Sequence, residues 1–264
     1  MTRFFVLLFA LSLPFWIAGS VFRGPGVLPM AMPVSAFQFV LPFVVASVCR
    51  CRDEGVRGVR ALLKRSFSVP RRGQRVWWVP AILLVPATML LSYGLLPLAG
   101  VVLDGPHEPL AAVPALLAVY AVAAVCEEVG WMGYALRPLQ RRWGAFGGAV
   151  VLGVAWAVWH VVGYLQGGCA VWWIVGQCLS TVALRVLIVW LFHRTGRAVL
   201  PAIVIHTLIN VVQSVFPGYP QRPAAALAFG LVTAAAATLV ALAWGARTPT
   251  GSRGNPLRAR GSGT

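Results

Sequence analysis

Charged side chains are scarce in this sequence, at 11% of 264 residues, and the acids are the scarcest, with six Asp and Glu in all. A soluble domain of this length covers its core with far more polar surface, so an ordinary globular fold is excluded. Cysteine is also sparse. Cys49, Cys51, Cys126, Cys169 and Cys178 are odd in number and scattered, which argues against a disulfide framework or a zinc knuckle. Those within apolar runs read as small hydrophobes. An HExxH motif is absent, and no serine or cysteine has an obvious base beside it, which disfavours a covalent nucleophile. No convincing internal repeat is visible, which argues against an inverted-repeat transporter.

What the chain has in abundance is long apolar runs. A membrane span needs about 20 residues at 1.5 Å rise each. Eight runs qualify, at 3–22, 28–49, 76–102, 109–136, 145–165, 170–192, 198–215 and 223–245. The expected fold is therefore all-α, a polytopic transmembrane helical bundle of about eight spans in one domain, 1–245. Residues 246–264, rich in Gly, Arg, Ser, Thr and Pro, are expected as a disordered basic cytoplasmic tail. The apolar start, Phe4 to Ile17, lacks a clean small-x-small cleavage site and is expected as a retained first span rather than a signal peptide.

The net charge of +16 could suggest nucleic acid, but its distribution does not. Nearly all Lys and Arg sit in alternate connections: 50–75, 137–143, 193–197 and the tail, with Arg3 before the first run. The opposite connections hold only Arg23 and Arg222, with the acids Asp104 and Glu108. The count is nineteen on one side against two on the other, with Arg185 left inside a span. Under the positive-inside rule this places both termini in the cytoplasm of a multi-pass plasma-membrane protein. The segment 50–75 reads as a solvated loop that sets topology, with a basic amphipathic helix on anionic lipid as the alternative.

Ionisable groups at membrane depth are costly, so they mark function by default. Glu127 and Glu128 fall in the fourth run, ten residues, or roughly 15 Å, from Arg137. Adjacent helical positions diverge by about 100°, so the two carboxylates point apart and have separate tasks. A buried carboxylate balanced by a nearby imidazole can act as a general base. His160 lies in the fifth run; taken alone, it fits packing as well as chemistry. His206 and Asn210, spaced i, i+4, share a face of the seventh run. They could bind an oxyanion, hold a water, or join helices by hydrogen bonding. Acids and imidazoles from three spans are expected to converge inside the bundle.

The blocks Glu127-Glu128-Val129-Gly130-Trp131-Met132-Gly133-Tyr134, Trp156-Ala157-Val158-Trp159-His160 and His206-Thr207-Leu208-Ile209-Asn210, in that order, resemble the CPBP intramembrane proteases. That family includes type II CAAX prenyl endopeptidases and bacterial proteins linked to bacteriocin processing or self-immunity, and its motifs are written EExxxR, FxxxH and HxxxN. The resembling core spans about 110–215. It implies an endopeptidase acting on a peptide or membrane-protein substrate, with Glu127 activating a water and His160 assisting. It further implies His206 and Asn210 stabilising the oxyanion, and Glu128 as a second acid. Two positions depart from the pattern. Trp156 replaces the first aromatic, and Met132 replaces the arginine, for which Arg185 is the better substitute candidate and Arg137 the weaker. Glu127, His160 and His206 could also form a two-His, one-carboxylate zinc site, and a metal-free mechanism is equally open. Competing expectations are a catalytically degenerate protein for self-immunity or partner docking, which Met132 motivates, and a proton-coupled transporter.

Overall fold

The computed structural model describes residues 1–22, 33–102, 110–216 and 218–245. The expected tail, 246–264, lies outside the described residues, as do Arg23, Asp104 and Glu108. Every regular element among the described residues is helical. Lipid imposes this, because a spanning segment must satisfy its backbone groups internally. In order they are α1 (Thr2–Val21), α2 (Leu41–Ser66), α3 (Trp78–Leu95), α4 (Val113–Glu128), a π-helical segment (Val129–Ala135), α5 (Leu136–Gln166), α6 (Val171–Arg194), α7 (Leu200–Val215) and α8 (Pro223–Gly245). Short 3₁₀ stretches join some of them. Prolines stand in the first turn of α2, α4, α7 and α8, where a missing N–H costs no intrahelical bond.

Six helical stretches are long and apolar enough to cross a membrane. One of them, Val113–Gln166, runs through 54 residues and breaks at Gly144, where φ is +70°, so it holds two of the expected spans. The break is sharp. In a straight helix Gly148 and Gln140 would lie about 12 Å apart. Here a Cβ on Gly148 would stand 2.9 Å from the Gln140 nitrogen. With the sixteen-residue α7, this gives the bundle of about eight spans. Segment 50–75 departs from the loop reading. α2 continues to Ser66 across a second glycine break, Gly55 with φ +64°, and burying Leu62 against the bundle favours helix there over a solvated loop. A positive φ is strained for most side-chain-bearing residues and free for glycine, and both basic segments branch from spans near such a glycine.

Contacts sort the two ends of the bundle. At one, Arg3 donates to the Cys49 carbonyl and pairs with Asp53, Gln140 meets His193, and Arg194 stacks over Trp77. At the other, Gln166 donates to Ser20 and the Trp16 carbonyl and accepts from Ser35, while the Trp173 indole donates to the Tyr219 carbonyl. All basic connections among the described residues meet at the first end.

α6 is the most enclosed of the spans, and it packs most extensively against α8 and α5. Lipid supplies no hydrophobic drive between helices, so close approach through small residues must do the work. A Cβ on Gly176 of α6 would lie 2.4 Å from the Ala226 backbone of α8. Between α5 and α6, a Cβ on Gly153 would meet Val182 at 3.0 Å and Arg185 at 3.1 Å. Gly153 thereby lets α6 bring Arg185 up to the centre of the bundle.

Candidate active site

The two adjacent glutamates sit at the last turn of α4, where the chain passes into the π segment. A π turn takes more residues per hydrogen-bonded loop than an α turn, and such turns cluster at functional sites. Gly130, in this segment, allows the Pro42 backbone of α2 to pass so close that a Cβ would lie 2.5 Å from its oxygen. Trp131 and Met132 are buried behind it.

The pair divides as its angular spacing predicts. Glu128, fully buried, receives two hydrogen bonds from Arg185 of α6, Nη1 at 2.7 Å and Nη2 at 3.0 Å. Its Oε1 also lies 2.9 Å from Nδ1 of His206 on α7. A carboxylate ion-paired in this bidentate way is an acceptor, so Nδ1 carries the proton and Nε2 is the ring nitrogen left over. The Arg185 guanidinium, itself fully buried, lies 4.1 Å from the centre of the Trp156 ring, a cation–π contact. Arg185, not Met132 or Arg137, thus supplies the cation beside the second acid. Its Nε has no hydrogen-bond partner among the described residues.

Glu127 faces the other way. Its Oε2 accepts from the indole N–H groups of Trp156, at 2.9 Å, and Trp131, at 3.3 Å. Both donors are neutral, and Oε1 accepts no hydrogen bond from the described residues. Sequence reasoning did not foresee these donors. In the sequence Trp156 reads only as a replacement for another aromatic, because tryptophan in a span is indistinguishable from packing until its N–H direction is known.

His160 does not hydrogen-bond to Glu127 directly. Its Nδ1 lies 2.9 Å from the Trp156 carbonyl oxygen. A carbonyl only accepts, so Nδ1 donates and Nε2 keeps its lone pair. Tyr164 stacks on its ring and Trp159 meets it edge-on. Trp156 therefore connects the site, holding Glu127 with its indole, His160 with its carbonyl and Arg185 on its face.

Glu127, His160, His206 and Asn210 all line one cavity of about 430 Å³, within the range of roughly 300–1,000 Å³ that ligand sites occupy. Glu128 and Arg185 do not line it. The Asn210 carboxamide is half-buried and makes no hydrogen bond among the described residues. Farther along the cavity, Gln177, Gln213 and Tyr219 bond to one another, the Tyr219 hydroxyl donating to Gln177 Oε1 at 2.7 Å. This polar patch also went unremarked in the sequence, where single glutamines and a loop tyrosine carry no pattern.

The metal arrangement fits less well. Among the described residues no three His, Cys, Asp or Glu side chains gather as an ion-holding group. Glu127 Oε2 is occupied by indole donors, and His206 Nδ1 is turned to Glu128. Glu127, His160 and His206 share a cavity without forming a ligand set.

A helical membrane bundle here brings acids and imidazoles from three spans to the wall of one cavity or directly behind it. Residues 109–212 match the family described as Type II CAAX prenyl endopeptidase Rce1-like, a segment that contains all three motif blocks. The chain is similar to the CAAX prenyl protease 2 of Methanococcus maripaludis, 25% identical over 186 residues, covering 65% of this chain and 68% of the relative. The resemblance read from the motif blocks is borne out by both likenesses, and the apolar helices make this an integral membrane protein.

Proposed function

We propose that this chain is an intramembrane endopeptidase that hydrolyses a peptide bond with a water activated by Glu127 and His160. The observation that carries this reading is the convergence of Glu127, His160, His206 and Asn210 on one cavity. Hydrolysis needs a base for the water, donors for the developing oxyanion and a proton for the leaving amine. Glu127, oriented by two indoles, has Oε1 available to accept a water proton. His160 offers Nε2 to the same water and can return a proton to the amine. In this reading the Asn210 amide donates to the oxyanion, and His206, held by Glu128 through Nδ1, lines the same cavity. Glu128 and Arg185 hold His206 from behind the cavity and touch no substrate.

Arg185 on Glu128 weakens the case for a degenerate protein that Met132 raised, because the acid keeps a guanidinium partner. The relative from Methanococcus is named for prenylated CAAX substrates. This cavity has no Lys or Arg in its described lining to hold a chain-end carboxylate, which favours an internal peptide bond. The test is a peptide-library cleavage screen with the reconstituted protein. Glu127→Ala and His160→Ala should each abolish turnover with unchanged thermal unfolding; full cleavage in either would sink the assignment.

A further inference from the structure

The cavity and the basic segments lie toward opposite ends of the bundle. The basic end gathers Arg3, segments 50–75 and 137–142, and Arg194 and Arg197. At the other end Arg222 is the only Lys or Arg among the described residues, and it donates to the Val102 carbonyl. The lining residues farthest from the basic segments are Pro33, Gly167, Cys169, Ala170, Pro220 and Gln221, and we take them as the cavity's mouth. All six belong to connections or helix starts of the charge-poor end, the end marked by the Gln166–Ser20 and Trp173–Tyr219 bonds. No residue of the basic segments lines it. Toward the basic end the cavity stops at Glu127, Trp156 and His206, with fully buried Trp131, Glu128 and Arg185 beyond. His206 lies six residues into α7 from that end, about 9 Å along the helix.

Lys and Arg in short connections are retained on the cytoplasmic side of a membrane. We propose that the cavity admits its substrate from the extracytoplasmic side, and that this substrate is an uncharged peptide segment presented there. The wall between mouth and Asn210 supports that chemistry, being made of aromatic and carboxamide groups such as Tyr164, Trp173, Gln177 and Gln213. A cytoplasmic chain end would have no path to Glu127 from the basic face. The substrate assignment rests on reading the cavity as a proteolytic site; the direction of access does not.

Two native cysteines mark the two faces. Cys169 is at the mouth, half-exposed, and Cys51 is exposed among the basic residues of α2. In intact cells, a membrane-impermeant maleimide should label Cys169, and more readily Gln221→Cys, while Cys51 reacts only after permeabilisation. In a Cys169→Ser background, Asn210→Cys should react with a small charged methanethiosulfonate added outside, and prior maleimide block at Gln221→Cys should slow it. Labelling of Cys51 in intact cells with the mouth silent would overturn the proposal. So would an Asn210→Cys that reacts only in inverted vesicles. None of these readouts depends on cleavage, so a Glu127→Ala protein that still cleaved would remove the proteolytic reading and leave the labelling pattern intact.

Discussion

Glu127 and Glu128 are neighbours in the chain and occupy two different chemical regions. Behind the cavity, Glu128 is locked in an ion pair with Arg185 and tied to His206, every group buried. On the cavity side, Glu127 is held by two neutral indoles, with one oxygen left over. The pair teaches that the same side chain serves as scaffold where a cation fixes it, and as reagent where only dipoles orient it. Buried charge paired by charge resists change, whereas an acid held by neutral donors can exchange protons without breaking the structure that surrounds it.

Four substitutions test that contrast, from the largest effect to the smallest. Glu127→Gln should lower peptide turnover by about 10²–10⁴-fold, the usual contribution of a general base, with little change in unfolding temperature. Arg185→Met should act in the opposite sense. It strands a buried carboxylate, costing about 3–5 kcal/mol of stability, measurable by thermal unfolding in detergent. Adding Glu128→Gln to that variant should recover part of the loss. Asn210→Ala should reduce kcat by roughly 10²-fold without a matching rise in KM, as expected for one oxyanion donor. Trp156→Phe keeps a ring under Arg185 and removes the indole N–H from Glu127. Its cost should be about 1.5–3 kcal/mol, the worth of a hydrogen bond to a charged group, and should fall mainly on kcat.

Much of this contrast is legible in the sequence. Apolar run length gives the spans, because a bilayer imposes a length that no soluble helix must meet. The angular divergence of adjacent residues separates the two glutamates, and Arg185 stands out as the one basic residue inside a run. Three features are not legible. The Trp131 and Trp156 donors depend on the direction of an N–H in a side chain that otherwise reads as apolar. The extension of α2 to Ser66 depends on Gly55 turning the chain, which periodicity cannot register. The Gln177–Gln213–Tyr219 patch joins three elements by contacts that no local spacing encodes.

The π segment after Glu128 has a consequence for how this core tolerates length change. In an α-helix each residue advances the azimuth by about 100°. The wide turn at Val129–Ala135 sets the phase between the glutamates above it and Leu136, Leu139 and the basic stretch below. Removing one residue there would relax the turn to an ordinary helix and scarcely shorten it. Because a π turn winds one extra residue into nearly the azimuth of an α turn, the two halves would keep their relation and the change would fall on the residues of the turn itself. Elsewhere in α4 or α5 the loss of one residue would turn the helix beyond it by about 100°, so this short stretch is where the core can lose a residue and keep Glu127 and Glu128 aimed as they are.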